Sequence, residues 1–430
     1  MKKIGFIGWR GIVGATLIKR MQYENDFSNI EAIFFSTSAA NSPNPFHYKF
    51  NSDINCVDQA NKSIQESVIT NCNELLYDAY DTNELMKLDC IIATQGSEYT
   101  KQILPKLRDC GYTGYWLDAS SYLRTKNDAI IVLDPLNYEQ IITGINNGIK
   151  NFVGGNCAIT LVMMGLAGLL KYNLIEYMNI NTYQAISGAG ANHIRELITQ
   201  MAYLVNDDDN LQLINNPHTP ILKLLDAFYA SCQSKYLPIG AFNQAIVGNI
   251  LPWIDEDLHN GSSREEAKGE YEANKILDNI DSRGINGYCD DINNTAVKKN
   301  VIKIDGMCVR VPVLQSHSAI VTFKLDMLAL AKYQQMYAVH SHDIANEDNI
   351  LDLLANIIKD AHPWINFIDN NKIATLDNLT PLNVTGSLQI AVGRLKKLNI
   401  DENLYSVFIT GDQLLWGASE PLRRMLKLFN

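Results

Sequence analysis

Hydrophobic and polar positions at the start of the chain predict a strand, a glycine-rich turn and a helix in close succession. Residues 3–8 form an apolar run, glycines recur through residues 9–14, and apolar residues return about every four positions from 15 to 21. A second apolar run, residues 30–35, follows at the distance expected for the next strand of a βαβ unit. This pattern predicts a doubly wound α/β domain.

Further apolar runs predict three more buried strands, with helical stretches such as residues 100–108 between them. The runs cover residues 89–94, 115–118 and 129–133. Parallel strands joined by helices are the simplest arrangement for this pattern. Residues 39–79 differ, because they are polar, rich in asparagine and broken by Pro43 and Pro45. We interpret that stretch as a long surface insertion.

The pattern changes at Cys157, where a second domain is predicted to begin. Its helices are predicted at residues 159–170 and 193–205, and its strands at 177–185, 301–313 and 318–325. The last two strands alternate apolar and polar residues, which is typical of a mostly antiparallel sheet with one solvated face. The fold class is therefore α/β, with a Rossmann-like dinucleotide-binding domain over residues 1–156 and an α+β domain over 157–410. A C-terminal helix at about 411–430 is predicted to complete the first domain.

Composition and charge narrow the classes of partner. The chain has 430 residues, of which 47% are hydrophobic, and a net charge of −11 that disfavours nucleic acid and anionic membrane surfaces. No apolar run approaches the roughly 18 residues that suggest a membrane span. Because the N-terminus enters the first strand without a signal or transit pattern, a cytoplasmic location is expected. Eight scattered cysteines, without a CxxC pair, predict free thiols and no metal site.

A dinucleotide site is predicted at the first turn. Gly8, Gly11 and Gly14 open the first helix, whose free N–H groups suit a pyrophosphate. Packing of the helix against the strand is the alternative role for these glycines. The second strand ends in residues 36–38, Ser-Thr-Ser, where an NAD-binding protein usually has an acidic residue. With Arg10 nearby, these hydroxyls favour the 2′-phosphate of NADP over NAD.

A reactive thiol is predicted at Cys157. Residues 153–157, Val-Gly-Gly-Asn-Cys, stand directly before the apolar helix, so the thiol lies near a helix N-terminus. The positive end of the helix dipole is expected to lower the pKa of the thiol, and the turn offers N–H groups to an oxyanion. An inert buried cysteine is the alternative interpretation.

Four motifs in this order resemble the Gram-negative branch of the aspartate-semialdehyde dehydrogenases. They are Gly8-Trp-Arg-Gly-Ile-Val-Gly14, Gly154-Gly-Asn-Cys157, Tyr183-Gln-Ala-Ile-Ser-Gly188 and Arg310-x₆-His317, supported by residues 263–268, 272–275, 411–417 and 420–424. The resemblance covers nearly the whole chain. The chain is longer than is typical of the family, with additions near residues 39–79, 281–299 and 327–347, and Ala189 replaces a common glycine.

The resemblance implies an NADP-dependent, reversible reduction of L-4-aspartyl phosphate to L-aspartate 4-semialdehyde through a thioester on Cys157. The enzyme would serve lysine, threonine, methionine and diaminopimelate biosynthesis as a homodimer built on the second, catalytic domain. His317 would be the acid/base and Gln184 would orient the substrate. The implied substrate and phosphate ligands are Arg124, Asn156, Glu265, Lys268 and Arg310. The implied cofactor ligands are Gly8, Arg10, Gly11, Ile12, Val13, Gly14, Thr37, Ser38, Gln95, Ser187, Gly188, Pro217 and Gln413.

Two other interpretations stay open at the level of sequence. Another phosphorylating aldehyde dehydrogenase, such as an N-acetylglutamyl-phosphate reductase or a glyceraldehyde-phosphate dehydrogenase type, would share the chemistry with a different substrate pocket. A non-catalytic NADP-binding regulatory protein would share only the fold. The presence of Cys157, Gln184, Arg310 and His317 together argues against the latter.

Overall fold

The computed structural model of the chain describes residues 1–47, 69, 71–206, 208–279, 301–337 and 347–429. Within these ranges the first sheet has seven strands, all of them parallel to their neighbours. They are β1 (Lys2–Ile7), β2 (Ile30–Ser36), β3 (Tyr77–Asp78), β4 (Cys90–Ala93), β5 (Tyr115–Asp118), β6 (Ala129–Val132) and β7 (Asn151–Gly154). Their spatial order is β3-β2-β1-β4-β5-β7-β6. The predicted doubly wound parallel sheet is confirmed.

Helices connect the strands of this sheet. They are α1 (Ile12–Tyr23), α2 (Thr82–Leu85), α3 (Ser97–Asp109) and α4 (Asp134–Asn146). The helix α1 begins at Ile12, three residues earlier than its apolar spacing predicted, because Gly11 serves as its N-cap. The strand β7 and the helix α4 were not predicted.

The stretch from 39 to 79 is only partly described, and residues 48–68 and 70 of the predicted insertion lie outside the described residues. Its described end is not a simple surface loop. The strand β3 adds an edge to the parallel sheet, and Ile69, Leu76 and Ala79 are buried. Asn73 also bonds the backbone of Phe34, so this segment covers the outer side of β2. A two-residue strand carries no periodicity, which is why the sequence did not reveal it.

The second half of the chain builds a sheet of six strands in the described residues. Its elements are α5 (Cys157–Gly165), α6 (Ala167–Lys171), β8 (Ile175–Gln184), α7 (Ala191–Asn206), α8 (Asp208–Asn215), α9 (Ile221–Cys232), α10 (Arg264–Ile276), β9 (Lys303–Arg310), β10 (His317–Leu325), α11 (Met327–Met336), α12 (Glu347–Lys359), β11 (Ile365–Phe367), α13 (Lys372–Asn378), α14 (Pro381–Val384), β12 (Ile390–Lys397), β13 (Leu404–Gly411) and α15 (Glu420–Phe429). The strand order is β11-β12-β13-β10-β8-β9.

This second sheet is mixed, with three antiparallel and two parallel pairings. The predicted pairs of alternating strands are present, but β9 does not neighbour β10. It lies parallel to β8 on the far side, so Arg310 and His317 flank β8 from opposite strands. The mixed order follows from the chain between β8 and β9, which is long enough for a crossover.

The apolar helix after Cys157 lies at the centre of the molecule. One cluster of buried side chains joins Ile159 and Val162 to Val153 in the first sheet and to Val321 and Ile409 in the second. The helix predicted over 159–170 is two helices, because α5 ends at Gly165 and α6 begins at Ala167. Gly165 packs closely on the second sheet, since a Cβ there would stand 2.8 Å from the Ile409 side chain. The two sheets therefore share one core.

The C-terminal segment returns to the first sheet. Gly411 ends β13, so the predicted final helix begins later, with one π-helical turn at Leu415–Ser419 followed by α15. Leu422 and Met425 of α15 pack in a second core cluster with Phe6 and Phe152 of the first sheet.

Among the residues described, none of the helices combines the length and apolar character that a bilayer crossing requires. The six cysteines in the described ranges are all free thiols, as predicted, while Cys56 and Cys289 lie outside those ranges. No three His, Cys, Asp or Glu side chains in the described part of the chain are grouped as metal ligands.

Candidate active site

Sheet register brings three of the candidate residues to the end of β8. Gln184, the last residue of β8, pairs with Arg310 at the end of β9. On the other side, β10 runs antiparallel to β8, so that His317 at its start follows the pair formed by Ser318 and Tyr183. Residues separated by more than 120 positions along the chain are therefore placed together by strand pairing.

The thiol enters this cluster from the turn between β7 and α5. Asn156 is the N-cap of α5, and its side-chain oxygen accepts hydrogen bonds from the N–H groups of Ala158 and Ile159 at 2.9 and 3.0 Å. Cys157 is the first residue of the helix. The prediction that this cysteine lies at a helix N-terminus is confirmed, and its capping is of the usual Asn type.

Cys157 and His317 are in contact, with 3.4 Å between Sγ and Nε2. The other ring nitrogen, Nδ1, accepts a hydrogen bond from the backbone N–H of Ala185 at 3.1 Å. An acceptor at Nδ1 cannot carry a proton, so the neutral imidazole holds its proton on Nε2. The histidine therefore presents an N–H donor to the sulfur.

Burial sets the protonation state of both partners. It raises the pKa of the Cys157 thiol to about 11, with Glu265 adding to the rise and Arg310, Arg124 and Lys268 opposing it. Burial, aided by the positive charge of Arg310, lowers the pKa of His317 to about 3. The lowered thiol pKa expected from the sequence is therefore not found, because desolvation of the thiolate by burial outweighs the cations around it.

Glu265 accepts hydrogen bonds from three polar side chains around the thiol. Its Oε1 accepts from the side-chain amides of Asn156 at 2.9 Å and Gln184 at 3.0 Å, and its Oε2 accepts from Lys268 at 2.9 Å. Burial alone would raise the pKa of Glu265, but Lys268 and these amides outweigh it and lower the pKa to about 2. The site therefore holds a permanent negative charge with fixed geometry.

The helix α10 supplies both Glu265 and Lys268, as their spacing of three residues implied. Lys268 also donates to Asp255 at 2.5 Å, so its ammonium is held between two carboxylates. Burial lowers the pKa of Lys268 but Glu265 and Asp255 raise it above the usual value, and the side chain stays charged. Sequence reasoning missed Asp255, which lies in a loop and has no pattern that would identify it.

Arg124 contacts the turn between β7 and α5 that carries Cys157, which we call the nucleophile turn. Its Nε donates to the carbonyl of Gly154 at 2.8 Å, and its Nη1 donates to Glu272 of α10 at 3.1 Å. Glu272 also accepts from the N–H of Asn156 at 2.5 Å. The structure thus brings Arg124 to the turn, and adds Glu272, to which the sequence analysis gave no role.

Arg310 is buried and directed toward the same centre. Its Nη1 donates to the carbonyl of Ala185 at 2.9 Å. A Cβ placed on Gly188 would stand 3.0 Å from Arg310 Nη1 and 3.0 Å from His317 Nε2, so this glycine leaves room above both side chains. The segment after β8 therefore forms a wall of the site.

Residues near the end of the chain hold the remaining wall. Gln413 donates to Ser187 Oγ and accepts from the N–H of Ser316 at 2.9 Å, directly before His317. Ser316 has a φ of +74°, an uncommon conformation that this bond helps to hold. A Cβ on Gly417 would lie 2.7 Å from the Cα of Cys157, so only glycine fits there. Gly417, like Asp255 and Glu272, is a residue whose role at the site the sequence did not disclose.

The glycine-rich turn before α1 is closely packed. A Cβ on Gly8 would lie 2.6 Å from the backbone N of Gln95, and one on Gly14 would lie 2.5 Å from the carbonyl of Gly8. Gly11 meets only one atom at 3.3 Å and is exposed. Packing therefore accounts for Gly8 and Gly14, while Gly11 leaves the helix N-terminus, with Ile12 and Val13 in its first turn, open to a ligand.

Arg10 faces the end of β2, as the NADP prediction requires. Its Nη2 donates to Ser36 Oγ at 3.0 Å and to Ser38 Oγ at 2.8 Å, with Thr37 between them. The guanidinium also lies over the Trp9 ring at 5.6 Å. A cation and hydroxyls are therefore gathered at the point where the 2′ substituent of a bound ribose would lie.

Of the predicted cofactor residues, Gln95 joins the glycine-rich turn, whereas Ser187, Gly188 and Gln413 join the thiol cluster. Pro217 is different, since it lies exposed between α8 and α9, which pack on each other and on α7. None of the described contacts ties Pro217 to either group, and its role stays a prediction.

Comparisons with known proteins agree with this arrangement. The family model for "Semialdehyde dehydrogenase, NAD binding domain" matches residues 3–143, and that for "Semialdehyde dehydrogenase, dimerisation domain" matches residues 166–416. Aspartate semialdehyde dehydrogenase from Francisella tularensis is similar over all of both chains, with 37% sequence identity and a TM-score of 0.80.

More distant structures share the fold. Aspartate semialdehyde dehydrogenase II from Vibrio cholerae, complexed with ASA, is 19% identical with a TM-score of 0.68, and the match covers 100% of this chain and 98% of that one. The enzyme from Candida albicans, solved with NADP, is 15% identical with a TM-score of 0.57, over 99% and 98% of the two chains.

Proposed function

The chain belongs to the aspartate-semialdehyde dehydrogenase family, and from that premise we propose that it reduces L-4-aspartyl phosphate to L-aspartate 4-semialdehyde through a thioester on Cys157. The 3.4 Å contact between Cys157 and His317, at the capped start of α5, is the observation that carries the proposal. This reaction would serve the biosynthesis of lysine, threonine, methionine and diaminopimelate.

In the proposed first step, Cys157 gives up its thiol proton and the thiolate attacks the acyl carbon. The bond to the phosphate oxygen breaks, and the departing phosphate takes up that proton, directly or through solvent. The Nε2–H of His317 supports this step, because it can donate to the thiolate and to the oxygen that becomes negative. A neutral imidazole suits that role, and burial lowers the pKa of His317 to about 3.

In the second step a hydride reduces the thioester, and collapse of the resulting oxyanion returns the aldehyde and the thiolate. A bound NADPH supplies the hydride. The His317 N–H again faces the oxyanion, and no proton need leave the ring in the reductive direction. In the oxidative direction His317 can accept the hemithioacetal proton on Nε2 only in its other tautomer, in which Nδ1 no longer accepts from Ala185, and otherwise a solvent group must accept it.

Substrate recognition would use the charges around the thiol. The guanidinium of Arg310 suits the α-carboxylate by bidentate pairing, and Glu265, held ionised, suits the α-ammonium. Arg124 and Lys268, whose charges both act on Cys157, offer positive charge to phosphate. Gln184 holds Glu265 in place, and Asn156 uses its side chain to cap α5 and to hold Glu265.

For the cofactor we propose NADP in preference to NAD. The support is the contact of Arg10 with Ser36 and Ser38 at the end of β2, where no carboxylate stands. The pyrophosphate would lie at the N-terminus of α1 beside Gly11. Ser187, Gly188 and Gln413 would face the nicotinamide end.

A homodimer is the proposed assembly. The support is the dimerisation-domain match and the apolar outer face of α9, where Ile221, Leu222, Leu225 and Tyr229 are exposed. A continuous apolar face of this kind is expected to be covered by a partner. Light scattering on the purified protein tests the assembly, and a single species with the mass of one chain would contradict it.

The test of the proposed function is the oxidative assay, in which NADPH formation from L-aspartate 4-semialdehyde must depend on phosphate. Cys157→Ser should lose turnover and retain NADP binding, because a hydroxyl is a far weaker nucleophile at neutral pH. Cys110→Ser is the control, since that exposed thiol lies at the end of α3. Substantial activity in Cys157→Ser would contradict the thioester.

A further inference from the structure

Glu272 is a buried carboxylate with two partners at the nucleophile turn. It lies on α10 and has no exposed surface. Its Oε2 accepts from the backbone N–H of Asn156 at 2.5 Å, one residue before the thiol, and its Oε1 accepts from Arg124 Nη1 at 3.1 Å. One carboxylate therefore contacts both the turn that carries Cys157 and the guanidinium proposed to bind phosphate.

The contacts close a ring. Arg124 Nε donates to the carbonyl of Gly154 at 2.8 Å, so Arg124, Gly154, Asn156 and Glu272 are joined by the turn's backbone and three hydrogen bonds. In such a ring the Glu272 side chain spans from the turn that carries the thiol to the Arg124 guanidinium, so its length sets the distance between them. The position of α10 determines where this ring lies, because Glu272 is two turns beyond Glu265 on the same face of the helix.

We propose that Glu272 is a positioning residue for phosphate, which acts by holding Arg124 at a fixed distance from Cys157. The proposal rests on the proposed function, since it takes Arg124 as a phosphate ligand. With Glu272 altered, Arg124 keeps its charge but loses its orientation, and phosphate should suffer more than the aldehyde.

The chain offers a matched control on the same helix. Glu270 is also buried and also accepts from one backbone N–H and one cation, Ile304 N at 3.2 Å and Lys303 Nζ at 3.1 Å. These partners belong to β9 and not to the nucleophile turn. Glu270→Gln and Glu272→Gln therefore replace the same chemical group in similar surroundings, and only the second touches the proposed phosphate ligand.

The experiment compares steady-state constants and melting temperatures of Glu272→Gln, Glu270→Gln and the wild-type enzyme. In Glu272→Gln the amide nitrogen faces one of two N–H donors, so we expect the KM for phosphate to rise roughly tenfold or more while the KM for the aldehyde changes far less. Glu270→Gln should lower the melting temperature without a selective rise in the KM for phosphate. Equal changes in both KM values, or the same pattern in both variants, would overturn the proposal.

Glu272→Asp covers the case in which the glutamine variant does not fold. It keeps the buried charge but is one methylene shorter, so it cannot hold both Arg124 and the Asn156 N–H. The same phosphate-selective rise in KM is expected. A folded Glu272→Asp with wild-type constants would overturn the proposal.

A separate measurement distinguishes failure of this proposal from failure of the proposed function. Alkylation of Cys157 by iodoacetamide, followed by mass spectrometry, is measured with increasing inorganic phosphate and no other substrate. Phosphate should protect the wild-type thiol at concentrations roughly tenfold lower than those needed in Glu272→Asp. If the wild-type enzyme lacks phosphate-dependent turnover, the proposed function fails. The difference in phosphate protection between the wild type and Glu272→Asp still tests whether Glu272 positions a phosphate ligand. Equal protection in both proteins would contradict the proposal.

Discussion

At the scale of single residues, the thiol and the imidazole at the centre of the site form a neutral pair. The Cys157 pKa is raised to about 11 and the His317 pKa is lowered to about 3, so near neutral pH neither group carries a charge. In the proposed reaction, charge must therefore develop on sulfur as the nucleophile attacks. Under the proposed mechanism, the His317 N–H stabilises the thiolate during the reaction, and the thiolate is not stored at rest.

The pH dependence of Cys157 alkylation tests this state. Because its pKa is raised, the thiolate fraction should be well below that of an ordinary thiol at pH 8 and should keep rising, about tenfold per pH unit, until pH approaches 11. Mass spectrometry of the Cys157 peptide after timed exposure to iodoacetamide measures the rate, with the exposed Cys110 as internal reference. A rate already at its plateau near pH 7 would mean that the helix N-terminus and the cations dominate.

Arg10 is the residue proposed to favour NADP over NAD, and a single substitution tests it. In Arg10→Ala, loss of a charge-assisted contact to the 2′-phosphate should cost about 1.5–3 kcal/mol, or roughly ten- to a hundredfold in NADP affinity. NAD lacks that phosphate and should be affected little. Titration of each dinucleotide by calorimetry gives the comparison, and equal losses for both would assign Arg10 a structural role with Ser36 and Ser38.

At the scale of elements, the helices α5 and α10 contact each other near the thiol through buried polar groups. The N-terminus of α5 carries the thiol. The helix α10 begins with a capping box, in which the side chains of Ser263 and Glu266 each accept a hydrogen bond from the other residue's backbone N–H. The face of α10 toward the thiol holds Glu265, Lys268 and Glu272, all buried. Two hydrogen bonds join α10 to Asn156, the residue directly before the thiol.

Substitutions of Asn156 separate the capping of α5 from the hold on Glu265. Asn156→Ala removes the cap and should lower stability by about 1 kcal/mol. Asn156→Asp keeps an oxygen for the N–H groups of Ala158 and Ile159, but sets a second carboxylate against Glu265 Oε1. We expect Asn156→Asp to melt above Asn156→Ala and still to lose activity at neutral pH. Melting curves and kcat/KM on the same preparations decide, and wild-type activity in Asn156→Asp would show that the amide contact is dispensable.

At the scale of the whole molecule, the C-terminal segment contacts both sheets. Arg424 of α15 pairs with Asp134 at the start of α4, and its guanidinium lies 4.8 Å from the ring centroid of Trp364, which leads into the second sheet. Trp364 packs in turn on Trp416 of the π-helical turn. One side chain thus links a helix of the first sheet to the second.

Arg424→Ala should therefore weaken the whole fold. The loss of a partly buried ion pair and of cation–π contacts should lower the free energy of unfolding by about 2–4 kcal/mol. Lys427→Ala on the same helix is the control, because the pair of Lys427 with Asp26 is half exposed and worth about 0–1 kcal/mol. Urea unfolding measures both variants. If Arg424→Ala is no less stable than Lys427→Ala, the two sheets do not depend on this link.

The sequence predicted those parts of the fold and site that depend on local pattern. The glycine-rich turn at Gly8, the strand β2 and the helix N-terminus at Cys157 all follow from residues near one another. The polar face of α10 was different, since hydropathy assigns Glu265 and Glu272 to solvent, whereas partners from distant elements make their burial favourable.

Two other features could not be predicted because they depend on tertiary packing alone. The raised pKa of Cys157 is caused by the burial that α10, His317 and the C-terminal segment impose together. The place of β9 beside β8 depends on the course of a long connection, and alternation of residues says nothing about which strand is the neighbour.

The late position of the residues that enclose the thiol has a consequence for protein synthesis. Gln413 bonds Ser187 across 226 residues, and Gly417 packs on Cys157 itself. At roughly 5–20 residues per second, a ribosome makes the first of each pair tens of seconds before the second. During that interval the nascent chain carries Cys157 without the wall that raises its pKa. Oxidants and electrophiles should therefore damage this enzyme most readily while it is still being translated.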